Sequence, residues 1–315
     1  MTVAGWTPRL AEVSRRLRSR ADAILAAVWF MPEAATGYVE LGLSPAASSM
    51  GGRAACLGRV PGAVAAALFA PIRAEHVAPP VDEAWRSTEP APLLDARRRA
   101  AVAFLEAGAP VEAAAAARPA ELLRRAVEAA PTAGHPVFAG LRSLPWPDDP
   151  VGILWRACDM VRERRGDSHR NAWAAAGLAP VEIQLLTERW RSSRNLGSTT
   201  AAAMGYPTDE IMAALEGFRV SGLVDTASSL TIAGRAYREV IEQVTDVQQA
   251  ALVAALGDDV DELFAAMEPW SGAVVDAATR QMDAAVAAAA SPTAATGAGA
   301  GARDGDQEEE GNADG

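Results

Sequence analysis

The chain has 315 residues, half of them hydrophobic, only 5% aromatic, with a formal net charge of −11. That length and apolar content suffice for two domains with substantial cores, and the acidic balance opposes binding to a phosphate backbone unless one face is locally basic. Two widely separated cysteines, Cys56 and Cys158, a charged N-terminal segment without an apolar run, and alanine stretches too short to cross a bilayer argue against a disulfide framework, a signal peptide and a membrane span, and for a soluble cytoplasmic protein.

Leu10, Val13, Leu17, Ile24, Leu25 and Val28 recur at helical spacing and predict a helix from Pro8 to Met31. Pro61–Phe69 reads as a short helix, and 94–107 and 120–130 as amphipathic ones. Three prolines between Leu144 and Pro150 forbid a continuous helix and mark a linker. Val151, Leu154, Cys158 and Val161 share one helical face, Gly166 is placed as that helix's C-terminal cap, and Asp167–Ala176 as a separate helix. Pro180–Arg191 and Ser198–Met204 follow. Thr208 is expected to cap a helix that carries Asp209 and Glu210 in its first turn and buries Ile211, Leu215 and Phe218. Ser221–Ile232 reads as a hairpin, and a closing helix begins near Gly234. From Ser291 the chain is Ala, Gly and Thr, then Asp and Glu, a composition that predicts a disordered acidic tail.

The halves show a faint internal repeat. Leu41-Gly42-Leu43-Ser44-Pro45 matches Ala176-Gly177-Leu178-Ala179-Pro180, and Ala54-Ala55-Cys56-Leu57-Gly58 matches Ala201-Ala202-Ala203-Met204-Gly205. The matches keep their order at an offset of about 140 residues, a normal domain size. The expected organisation is an N-terminal half over 1–145, a C-terminal half over 146–290 and the tail over 291–315, with the protein a monomer because each half supplies the other's dimer surface.

The order helix, short helix, tight turn, helix, hairpin, helix is that of a winged helix-turn-helix. Met212 to Asp225, with Gly222-Leu223-Val224, followed by Leu230-Thr231-Ile232-Ala233-Gly234-Arg235-Ala236, resembles the MarR pattern of recognition helix and wing. The whole chain also resembles an uncharacterised actinobacterial family of helix-turn-helix proteins, through Trp29-Phe30-Met31-Pro32-Glu33, Gly52 to Gly58 and Arg165-Gly166-Asp167-Ser168-His169. The resemblance implies a mainly α fold of tandem, pseudo-dimeric winged helix-turn-helix halves with short β-hairpin wings, the N-terminal one degenerate. It also implies ligand-controlled DNA binding. One feature departs from it: a recognition helix presents its N-terminal residues to bases, and here these are Thr208, Asp209 and Glu210. Candidate DNA contacts are Thr208, Arg219 and the cluster Arg189, Arg191 and Arg194.

If the halves are duplicates, Glu33 and Asp167 hold equivalent places. Trp29, Phe30 and Tyr38 accompany the first, Arg165 and His169 the second, and Arg53 lies in a glycine-rich turn. Aromatics, two carboxylates, arginines and a histidine suit a pocket for a polar small molecule. Each carboxylate equally suits a helix N-terminus. No metal-ligand spacing and no cofactor motif is present, and His76 and His135 read as surface residues. A second reading makes Glu33 and His169 an acid/base pair of an enzyme. A third is an interaction protein that does not bind DNA.

Overall fold

Helix formers dominate the chain, and alanine most of all, because it loses no side-chain entropy in a helix. The computed structural model describes residues 3–30, 38, 40–108, 112–191 and 199–290, with the side chains of 26–30, 199 and 277–290 outside the description. The first helix, α1, spans Pro8–Phe30, and α2 spans Pro45–Ala54, its first turn capped by the Ser44 side chain accepting from the Ala47 N–H. Then come α3 (Gly62–Phe69), α4 (Ala78–Ser87), α5 (Pro90–Gly108), α6 (Ala117–Ala129) and α7 (Pro136–Ser143). The longest helix of the interior, α8, runs over Pro150–Ala175. The second half continues with α9 (Pro180–Arg191), α10 (Thr199–Ala203), α11 (Thr208–Val220), α12 (Ile232–Val247), α13 (Ala250–Leu256) and α14 (Val260–Ala290). Residues 1–275 form one compact unit; in the other, 276–315, the described residues 276–290 are helical.

Within 1–275 there are two apolar cores of very different size. The large one joins residues from Val13 to Val161 with Leu252 to Val274, around the fully buried Trp155 and Trp270. Burial of each such side chain contributes roughly 2–3 kcal/mol. The small one holds Leu185, Leu186, Ala201, Tyr206, Ile211, Leu215, Phe218, Val224 and Leu230, and it binds α9, α10 and α11 into a three-helix module. A four-residue patch of Ala172, Trp173, Ile183 and Ile241 lies between them.

The expected β-hairpin wings are not what forms. Among the described residues there is no strand, and the presumed wing is a single antiparallel bridge between Val224 and Leu230. The reason is local. The Asp225 carboxylate accepts from the Ala227 and Ser229 N–H groups at 2.9 Å each, satisfying the turn internally. Thr231 already caps α12, accepting from the Gly234 N–H at 3.0 Å, so no chain remains for a ladder. Gly234 is required there, since a Cβ would lie 2.1 Å from the Leu223 carbonyl oxygen.

Three local expectations also change. Gly166 does not end a helix: α8 passes through it and stops at Gly177 (φ +73°), where Leu178 N–H donates to Trp173 C=O and Gly177 N–H to Ala174 C=O in a Schellman cap. The cost of about 1 kcal/mol for a mid-helix glycine is outweighed by the ion pairs α8 makes on either side of it. Thr208 is the first residue of α11 and makes no cap; Pro207 holds the N-cap position. His135 is buried, with its ring between Ala133 C=O and Ser168 Oγ at 2.8 and 2.9 Å.

Candidate functional site

Beside the three-helix module, the contacts of α8 with α2 and α12 are ionic. The run Arg162-Glu163-Arg164-Arg165 stands on α8, and its residues reach different partners as the helix turns. Arg53 of α2 grips Glu163 through both Nε and Nη2 at 2.8 Å, a bidentate geometry that outweighs the burial of both groups. Burial disfavours the Glu163 charge, but Arg53 and Arg162 hold its carboxyl far below the usual range. Arg165 donates to Glu242 at 2.5 Å and to Asp246 at 2.9 Å, both on α12. Arg238, one turn earlier on α12, donates to Glu242 at 2.6 Å. Against its desolvation, Glu242 is thereby held down at about 2 by Arg238 and Arg165.

These residues wall a cavity of about 200 Å³. Arg18 and Asp22 come from α1, Arg53 from α2, Phe69 to Ile72 from the end of α3, Arg162, Arg165, His169 and Arg170 from α8, Arg191 from α9, and Arg238 and Glu242 from α12. Seven arginines thus face two acidic side chains across one small space. Counting also Glu163, Asp167 and Asp246, which pair with the arginines from behind, positive charge remains in excess. Arg191 has no hydrogen-bond or ion-pair partner among the described residues; desolvation and then Arg18 lower its pKa from the ordinary value. Arg238 is buried, lies over the Trp190 ring, and leaves Nη1 without a partner. In a chain of net charge −11, this concentration of cations is the main electrostatic feature.

The candidate ligand residues divide. Arg53, Arg165 and His169 meet at the cavity. Desolvation and then Arg238 push His169 down to about 3, so its ring is neutral at ordinary pH. Asp167 points the other way: from the middle of α8, and not from a helix start of its own as the sequence placed it, it accepts from the Phe138 N–H at 3.0 Å at the start of α7 and pairs with Arg170. Tyr38 is buried beside the Arg97–Asp159 pair, away from the cavity. Glu33, the side chains of Trp29 and Phe30, and Arg194 lie outside the described residues. Arg18, Arg162, Arg170, Arg238 and Glu242 were missed. The arginine density of 15–20 and 162–170 was the available signal, but helical spacing alone scatters those side chains over all faces.

Of the candidate DNA contacts, Arg189 is buried, donating to the Ser228 carbonyl at 2.8 Å to hold the turn after α11. Arg191 lines the cavity. Thr208 and Arg219 are exposed, and Arg219 pairs with Glu216 on the same helix. The outer face of α11 shows Asp209, Met212, Ala213, Glu216 and Val220. Its N-terminal end is tied to the body by the segment after α3. Arg73 pairs with Glu210 at 2.8 Å, its N–H donates to Met204 C=O at 3.1 Å, and Tyr206 Oη donates to Pro71 C=O at 2.9 Å. His76 sits over the tight turn, where a Cβ on Gly205 (φ +95°) would lie 2.7 Å from its ring.

The α10–turn–α11 arrangement is that of a helix-turn-helix, and a model of a helix-turn-helix family matches residues 14–282. The chain belongs to that family, whose span takes in the helical body as well as the three-helix module. No curated protein and no solved structure matches the chain. No single described helix is long and apolar enough to cross a membrane.

Proposed function

We propose that the protein is a ligand-responsive helix-turn-helix regulator: a small anion binds in the arginine-walled cavity, and its occupancy changes how freely α11 meets DNA. The observation that carries this reading is the position of the cavity. Its wall includes Phe69 to Ile72 and Met204, and the adjoining 71–76 segment ties down the turn and the first turn of α11. A ligand that draws the cavity arginines together acts directly on that tie, which gives the differential contact that a population shift requires. A compact oxyanion suits the cavity by charge, and arginine forks match its geometry. The acidic outer face of α11 disfavours phosphate contact in the tied position, so release is the step that regulation controls.

The test is fluorescence anisotropy of the purified protein on DNA from its own upstream region, across a salt series. Binding that survives competitor DNA, with a steep salt slope, supports the reading. Arg73→Ala, which cuts the tie at a half-buried position, should tighten that binding several-fold. Inorganic phosphate at fixed ionic strength should change it in the wild type and not in Arg191→Gln. No binding at low ionic strength would retire the DNA half of the reading, leaving the cavity to be tested by calorimetry with phosphate alone.

A further inference from the structure

A second cavity, of about 560 Å³, lies on the opposite side of α8, between α5 and the 144–149 segment. Its apolar wall is Leu94, Leu144 and Trp146, and its rim carries Asp95, Arg98, Asp148 and Asp149. Behind them stands Arg156, only 6% exposed. Its Nε and Nη1 are both buried without a hydrogen-bond partner, and among the described residues it makes no ion pair. Its natural partner is taken: Asp159 is held by Arg97 at 2.5 and 3.1 Å. Burial, with Arg97 adding to it, lowers the Arg156 pKa from the ordinary value.

A buried guanidinium with no acceptor is costly, and native chains satisfy nearly all such groups. It persists where something else supplies the acceptor. The rim acids do not: Asp149 accepts from the Gly152 N–H at the start of α8 and faces Arg98 at 3.4 Å, and Asp95 pairs with Arg98 and Arg99. We propose that this cavity is a binding site for a small carboxylate with an apolar body. The carboxylate is received by Arg156 and the apolar part lies against Leu94 and Trp146. Asp148, exposed at the rim and without an ion pair among the described residues, is placed to receive an ammonium group on the same molecule. The site is independent of the arginine-walled cavity and of DNA binding.

The experiment is titration calorimetry with 3-phenylpropionate, its neutral amide and L-phenylalanine, at fixed ionic strength. The expected result is binding of at least one of the two carboxylates and not of the amide, at least ten-fold weaker in Arg156→Met and blocked in Leu94→Trp. A preference for L-phenylalanine assigns the ammonium to Asp148; equal binding leaves Arg156 as the sole charged anchor of the carboxylate. Thermal melting keeps the proposal open to refutation without a ligand. Without an acceptor, Arg156→Met should melt no lower than the wild type, because it removes an unpaired buried charge at similar volume. A marked loss of stability in Arg156→Met, equal binding of the amide, or no binding of either carboxylate would overturn the proposal.

Discussion

The helical body and the three-helix module are held by different physics. The body closes on one broad apolar core, in which Trp155, Phe138, Leu154 and Trp270 are sealed from solvent. The module has nine buried core residues and meets the body through the small patch around Trp173 and Ile183 and the Arg73–Glu210 pair, while α12 beside it is bound to α8 by arginine–carboxylate pairs. Apolar burial is non-directional and nearly indifferent to pH, whereas paired buried charges depend on protonation and on every partner being present. The lesson is that the apolar body is robust to pH, while the ionic attachment of α12 is conditional on protonation and on every partner being present.

The comparison is broken most severely from the body side. Trp155→Ala should cost about 3–5 kcal/mol and lower the melting temperature of the whole unit; a loss under 1 kcal/mol by denaturant titration would show that this core is not the common foundation. At the α8–α12 contact, Arg165→Ala should cost about 3 kcal/mol, because Glu242 and Asp246 lose a buried cation. Its mark is early hydrogen exchange in α9 and α12 while α6 and α7 stay protected. Uniform loosening of all helices would erase the distinction between the two regions.

A pH titration sharpens it. The His169 pKa falls from its ordinary value of 6.5 to about 3 in the fold. Between those values the unfolded chain binds a proton that the native state does not, so stability falls as pH falls through that window. From pH 6.5 to 5 the loss is about 2 kcal/mol, and His169→Gln should flatten the slope there. Glu242, held down at about 2, acts lower: its contribution is complete above about pH 4.5 and is lost as pH falls towards 2. An unchanged slope in His169→Gln would mean that the ring is not buried neutral. The smallest effects belong to the module's outer attachments. Tyr206→Phe should cost about 1 kcal/mol through its lost bond to Pro71, and Glu216→Ala, at an exposed pair, under about 0.5 kcal/mol.

Much of the local structure was legible in the sequence. The apolar stripe of α1, the bounds of α9 at Pro180 and Arg191, and the buried face Ile211, Leu215, Phe218 follow from spacing and from proline and glycine placement, which act over one or two turns. Gly166 shows the limit: its propensity signals a stop, yet the helix continues because distant segments hold both sides of it, Arg165 pairing with Glu242 and Asp246 before it and Asp167 accepting from the Phe138 N–H after it. The hairpin failed for the opposite reason, since Asp225 and Thr231 satisfy the backbone over a few residues and leave no length for pairing. In the candidate site, Arg53, Arg165 and His169 were foreseeable as polar residues near glycines. Their neighbours Arg18, Arg238 and Glu242 were not, because they converge from helices far apart in sequence.

The sequence by itself determined the helical class, the helix-turn-helix order and the positions of most helix ends, since these rest on periodicity, capping chemistry and backbone restriction within a few residues. Only the tertiary structure decided which arginines share a cavity, which are consumed by carboxylates, and that Arg156 is left with none. Charge pairing is settled by distance and burial, and neither quantity exists until the helices have packed.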